Sequence, residues 1–312
     1  MLGAKSPINF PDAYLIYRLV WEEAARQGAI SGYAHMGSFA GGPYGLAIDL
    51  PQRLLNFLEV MQNNNGGYDV WYDVLNTGYR ITPTAGTDFP CIPSIPGRER
   101  FYTKVEGPFT YENWLEGIRR GRTFVTLGPV LELEVAGKGM GEEVVLKASA
   151  PVTIEGRVRF DPHRESVWRL DLIENGELLR SFPRLGNAAE IRFKISHQVK
   201  ETSWYAVRAS GEKLGEALWS YDVSLAHSAP MYVTVQGSSQ IGGPPRAKVV
   251  ARKWLAYLEN LEARLAEGEL SYLAADAAST PGDLDADYIR RNRPALFEAI
   301  HEAREHFAKL VR

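Results

Sequence analysis

The sequence is short of several things, and each shortage closes a class of function. It has one cysteine, Cys91, in 312 residues. No intramolecular disulfide can form, and no cysteine-rich zinc site can be built. No stretch approaches the roughly 20 apolar residues that a membrane helix needs. The formal net charge is only -3. There is thus no basic surplus to draw the chain to nucleic acid or to an anionic membrane surface. Residues 1–10 show neither a basic n-region nor an apolar h-region, so no signal peptide is read there and no compartment is assigned. A Gly-x-Ser-x-Gly motif is absent, which removes the nucleophile elbow of a serine hydrolase. Histidine is scarce, with six in the chain and none before His35.

What is present describes a globular protein. The chain is 45% hydrophobic and 23% charged, and it is long enough for two domains with a real core. Apolar residues at helical spacing between Phe10 and Gln27 predict a helix that Gly28 stops. Ala29–Ala34 reads as a short buried strand, Ser38–Gly45 as a loop, Pro51–Phe57 as helical and Phe57–Val60 as a strand. Tyr68–Thr77 reads as a helix capped by Gly78, and Thr84–Asp88 as a strand end and turn. This close alternation of helix and strand is the pattern of a parallel α/β unit.

The pattern changes after about residue 107. Tyr111–Arg120 predicts a helix stopped by Gly121, and a series of alternating segments follows. Asn175-Gly176 joins two of them as a hairpin, because a type I′ turn needs positive φ twice. Gly137–Gly141 looks superficially like a phosphate loop, but it lacks the Gly-Lys-Ser/Thr ending and is read as a hairpin. The expected organisation is an α/β part over residues 1–128, a β-sandwich over 129–236 and a linker with a helical tail over 237–312.

Three residues share an address that suits chemistry. His35 follows the first short strand and precedes a glycine-rich loop. Asp88 follows a strand and a glycine turn. Catalytic groups in α/β folds sit at such C-terminal strand ends. Glu59 lies among Phe57, Leu58 and Val60, where a carboxylate needs a cation or hydrogen-bond donors; Arg53 and Arg80 are the nearest ordinary partners. Arg98 and Arg100 follow Asp88 closely, and guanidinium forks suit carboxylate or phosphate groups. Four other histidines are read structurally: His227 in or at the edge of the sandwich, His163 in a loop, His301 and His306 on a solvated helix face.

Gly32-Tyr-Ala-His35, Asp49-Leu-Pro51, Leu58-Glu-Val60, Trp71 to Gly78 and Ala85-Gly-Thr-Asp88 occur in an order that resembles a known family. The likeness continues through Arg100-Phe-Tyr102, Thr110–Trp114, Gly121–Pro129, Glu174-Asn-Gly176 and Ala226–Tyr232. The family is the carbaryl-hydrolase-like (CehA/McbA) branch of the polymerase and histidinol phosphatase (PHP) superfamily. The resemblance implies part of a distorted (β/α)7 barrel followed by an immunoglobulin-like sandwich. It implies metal-dependent hydrolysis of an ester, amide, carbamate or phosphoester, with zinc, manganese or iron as cofactor. It makes His35 and Asp88 metal ligands and Glu59 a third; Arg98 and Arg100, by their position after Asp88, would hold an anionic group of the substrate.

The sequence departs from that family where the first strand should carry His-x-His. Only 34 residues precede His35 and none is histidine. Pro90 stands where many relatives have a further histidine. One metal needs about four to six ligands, so the expectation is weak metal binding and little hydrolysis by this chain alone. A preceding segment or a second chain would complete the barrel. The competing expectation is a non-catalytic protein that binds a carbohydrate or protein partner through the sandwich, with Trp168, Trp204, Trp219 and Tyr221 as stacking surfaces.

Overall fold

The computed structural model describes residues 1–8, 17–34, 45–62, 65–66, 68–90, 95–213, 223–238, 243–267 and 282–312. Six helices lie among them: α1 (Arg18–Arg26), α2 (Leu46–Asp49), α3 (Tyr68–Asn76), α4 (Tyr111–Arg119), α5 (Gly243–Glu267) and α6 (Gly282–Val311). The early strands are β1 (Gly32–Tyr33), β2 (Phe57–Gln62), β3 (Asn65–Gly66), β4 (Thr82–Ala85), β5 (Arg100–Thr103) and β6 (Thr123–Thr126). Next come β7 (Val130–Val135), β8 (Lys138–Gly139), β9 (Glu143–Leu146), β10 (Ala150–Arg159) and β11 (Glu165–Glu174). The last are β12 (Glu177–Pro183), β13 (Glu190–Val199), β14 (Ser203–Lys213), β15 (Val223–Ser228) and β16 (Met231–Val235). No described helix is long and apolar enough to cross a membrane, which says nothing of a β-barrel.

The chain forms two compact units: Met1–Ser31 with Pro43–Leu55 and Pro245–Arg312, and Gly32–Gly42 with Asn56–Pro244. The first unit is helical. Its long helices meet along Trp254, Leu258, Leu261 and Leu265 on α5 and Leu296, Ile300, Ala303 and Phe307 on α6, all buried. Their three-to-four-residue spacing makes one apolar stripe on each helix. Trp254 stacks on Phe307 with centroids 6.1 Å apart, and Arg304 pairs with Glu262. Elsewhere in the unit, the indole of Trp21 on α1 donates to Asp49 at 2.9 Å.

The second unit holds three sheets. In the first, β1, β2 and β4 run parallel, and β3 folds back antiparallel on β2. The second has the order β13-β10-β7-β8. The third has the order β12-β11-β14-β15-β6-β5, with β16 also pairing β14 and β9 running parallel to β16. The last two pack face to face. Leu131, Leu133 and Val135 of β7 and Ile154 and Val158 of β10 are buried at every second position, the period of a strand with one dry face. Phe182 of β12 stacks on Phe193 of β13 at 4.0 Å across the sheets. A Cβ on Gly156 would meet that Phe193 ring at 2.3 Å, so the glycine makes room for it.

Mixed α/β structure, a β-rich sandwich and a C-terminal helical pair are all present. The sandwich does not start at residue 129, however. β6 pairs with β15, Ala226 opposite Thr126, and β5 pairs with β6, so residues 100–126 extend one of its sheets. All four residues of β6 are buried, which removed the alternation that would have marked the strand.

The helix stops were legible. After α1, α3 and α4 the chain turns through Gly28, Gly78 and Gly121, with φ of 75°, 90° and 69°. Each turn closes the same bond pair: Ala29 N–H to Ala24 O, Tyr79 N–H to Val74 O and Arg122 N–H to Gly117 O, with the inner bond from the glycine itself. This is a left-handed C-cap, which costs least with glycine. Of the helix expected from Phe10, residues 10–16 lie outside the described residues, as does nearly all of the Ser38–Gly45 loop. The helix expected over 51–57 lies earlier, as α2 and a 3-10 turn over Leu50–Gln52. Pro51 fits that first turn because it has no N–H to satisfy, and Arg53, at φ 56°, ends it.

Candidate functional site

The three parallel strands bring two of the predicted residues to one edge. Tyr33 of β1 is in register with Leu58 of β2, and Glu59 of β2 with Thr84 of β4. The pairing continues past β4, where Gly86 N–H donates to Met61 O at 3.3 Å. The strand ends therefore lie side by side in the order β1, β2, β4, the position where open α/β sheets place ligands. Glu59 is half-buried and reaches across to the turn after β4. Its Oε1 lies 2.3 Å from where a Cβ on Gly86 would stand. Only glycine lets the carboxylate in so close. Asp88 lies two residues further on, half-buried, with φ of 53°, a left-handed conformation that aspartate tolerates better than most residues.

His35, the third predicted ligand, lies outside the described residues, and so does Cys91. Among the described residues no three His, Cys, Asp or Glu side chains come together as a metal-binding group. Ile30, Leu58 and Ile81 are buried.

The two arginines are held by their own surroundings. Arg98 donates from Nε and Nη2 to Glu99 Oε1 at 3.0 and 2.6 Å. Arg100 donates to the Tyr102 hydroxyl at 3.2 Å and to the carbonyls of Gly97 and Arg98 at 3.0 and 3.2 Å. Glu99 is the residue that sequence reasoning passed over. It is buried, and its Oε2 has no hydrogen-bond partner among the described residues. An unpaired buried carboxylate oxygen is costly. The only signal in the sequence was an acid enclosed by two arginines. Arg80, weighed as a partner for Glu59, instead pairs with Glu143 at 2.8 Å.

Three of the motifs that carried the family resemblance meet elsewhere, where α3 packs on the third sheet. Helix α3 is buried on nearly every side. Its Asn76 donates to Asn175 O at 3.1 Å and accepts from the Trp204 indole at 2.9 Å. Asn175 occupies the positive-φ hairpin position, φ 53°. Its side chain also accepts from Trp204 N–H at 2.9 Å and donates to Ser203 Oγ at 3.1 Å. Tyr72 and His227 complete the joint. His227 Nδ1 lies 2.8 Å from Ser228 O, and a carbonyl can only accept, so Nδ1 carries the proton. Nε2 then accepts from the Tyr72 hydroxyl at 2.5 Å. Tyr68 stacks on the imidazole at 4.7 Å and Trp71 meets it edge-on at 5.2 Å. Burial lowers the His227 pKa to about 3, so it stays neutral and structural, as its position in the sandwich implied. Trp204, read as a stacking surface, is fully buried here; Trp168 is 39% exposed on β11. Trp219 and Tyr221 lie outside the described residues.

His163 N–H bonds to its own loop at Asp161 Oδ1, 2.9 Å. His301 is exposed and reaches Glu305 at 3.3 Å, and burial lowers the pKa of His306.

No family model and no curated protein matches the sequence. Among solved structures, an engineered protein determined by the Northeast Structural Genomics Consortium shares 13% identity at a TM-score of 0.21. The match covers 72% of this chain and 45% of that one. The chain thus spans less than half of that protein, and so slight a likeness carries no argument.

Proposed function

We propose that this chain carries part of a metal-dependent hydrolase of the PHP type, with a distorted barrel as the parent fold. The observation behind this reading is the reach of Glu59 over Gly86 toward the turn that bears Asp88, at the shared edge of parallel strands. His35 follows β1 by two residues in sequence and would be the nitrogen donor. Two described carboxylates fall short of the four to six donors that one ion takes. The described residues therefore do not by themselves fit a resident metal. Zinc, manganese or iron would be held weakly, and the remaining donors would come from another segment or a second chain. Such an ion, when bound, supplies hydroxide at neutral pH. The substrate would be a small ester, amide, carbamate or phosphoester, with Arg98 and Arg100 near its anionic group.

Equilibrium dialysis of the full chain against zinc and manganese tests the reading. The expected result is dialysable binding that Asp88→Asn and His35→Ala each abolish, with no turnover of a test ester. Unchanged binding in both variants would remove the site. Stoichiometric metal surviving dialysis would overturn the incomplete ligand set. The alternative, a sandwich that binds carbohydrate or protein, loses Trp204 as a contact and, among the described residues, keeps Trp168.

A further inference from the structure

The second unit has a cleft at the opposite end of β4 from Asp88. It encloses about 400 Å³, within the usual range of a small-molecule site. Its walls are the chain entering β4, the turn after α4, the β8–β9 segment and Tyr232 of β16. Two glycines close it. Gly141 has φ of 77°, and a Cβ there would lie 2.1 Å from the Arg120 carbonyl oxygen. The Cβ position of Gly121 is 3.4 Å from Gly141 Cα. Side chains would hold these two turns apart; glycines let the backbones touch. That contact gathers Arg120–Arg122 and Lys138–Glu143 around one opening.

Five cations line the cleft: Arg80, Arg119, Arg120, Arg122 and Lys138. Two of them have a local explanation. Arg119 and Arg120 pair with Glu116 at 2.8 and 2.6 Å and sit at the α4 C-terminus, where positive charge complements the helix dipole. The other three come from three separate segments. Arg80 lies 4.4 Å over the Tyr232 ring and pairs with Glu143. Arg122 is the least exposed, its side chain 13% accessible, and pairs with Glu106 at 2.5 Å. Lys138 has no ion pair among the described residues. Glu106, Glu116, Glu142 and Glu143 answer five cations with four carboxylates, which leaves one positive charge in a chain whose net charge is -3.

We propose that this cleft binds a small phosphorylated ligand, its phosphate held between Arg80, Arg122 and Lys138. Three cations from three separate segments suit a tetrahedral group with three free oxygens better than a planar carboxylate with two. The ring under Arg80 and the burial of Arg122 fix two of the donors before the ligand arrives, which lowers the cost of ordering them. A small cleft on a chain of net charge -3 does not suit a nucleic-acid backbone.

Calorimetric titration of the full chain with inorganic phosphate, in chelator and at constant ionic strength, tests this apart from any metal site. The expected result is saturable one-to-one binding with a Kd near or below about 1 mM, weakened about tenfold in Lys138→Gln by loss of a charge-assisted contact. Lys194→Gln makes the same charge change on β13, where Lys194 pairs with Glu155 at 2.8 Å, and should leave binding unchanged. Absence of saturable binding, or equal weakening by both variants, would overturn the proposal.

Discussion

The α3 joint and the ends of the parallel strands lie in one unit, and both contain motifs of the same family resemblance. They use polar residues in opposite ways. In the joint, Asn76, Asn175, Tyr72 and His227 bond to one another and to backbone, inside a shell of Tyr68, Trp71 and Trp204. Buried polar groups are tolerated when they are paired in this way. Near the strand ends, Glu59 of β2 and Asp88 after β4 are only half-buried, and the absent Cβ of Gly86 lets the Glu59 carboxylate reach the β4 turn. A motif that suggests a resemblance can therefore lie in a structural joint. The histidine of the Ala226–Tyr232 motif belongs to the joint.

The largest expected effect follows from breaking the joint. Trp204→Ala removes a fully buried indole and leaves Asn76 Oδ1 without its donor. Urea denaturation should show a loss of about 3–5 kcal/mol. A loss under about 1 kcal/mol would mean that the joint does not hold helix and sheet together.

Acid should act on the same place. The folded-state pKa of His227, about 3, lies below its ordinary value near 6.5. Between these values the unfolded chain binds the proton and the folded chain does not. The contribution is fully present above about pH 6.5 and is lost as pH falls toward 3, with a slope of up to about 1.4 kcal/mol per pH unit. Imidazole nitrogen shifts measured at pH 5 should still report the neutral ring protonated at Nδ1. A ring titrating near pH 6 would show that the joint admits water.

The smallest stability change belongs to the strand ends. In Gly86→Ala the new Cβ meets only the end of the Glu59 side chain, which can swing aside. Stability should change by no more than about 1 kcal/mol, while metal uptake in dialysis falls. Uptake equal to that of the parent chain would separate Glu59 from the site.

Local rules made much of this legible. Apolar spacing and the glycine after it marked α1, α3 and α4 at their C-terminal ends, and Asn175-Gly176 marked its hairpin. Glu59 could be read as a strand residue, and Asp88 as following a strand. The reading failed where a strand is buried on both faces, as in β6. It also failed where a partner is remote: the Trp204 indole finds Asn76 128 residues away, so a tryptophan that suits a stacking surface became core.

Sequence by itself determined where helices stop and hairpins turn, because those choices depend on φ preferences and on hydrogen bonds spanning five or six residues. It also determined that no histidine precedes His35, which is a matter of composition. Only the tertiary structure decided that His227 is a neutral structural acceptor, that β5 and β6 join the sandwich, and that Arg80, Arg122 and Lys138 share a cleft. Those outcomes depend on which faces meet, and burial, which lowers the pKa of an imidazole, exists only once the sheets and α3 have packed.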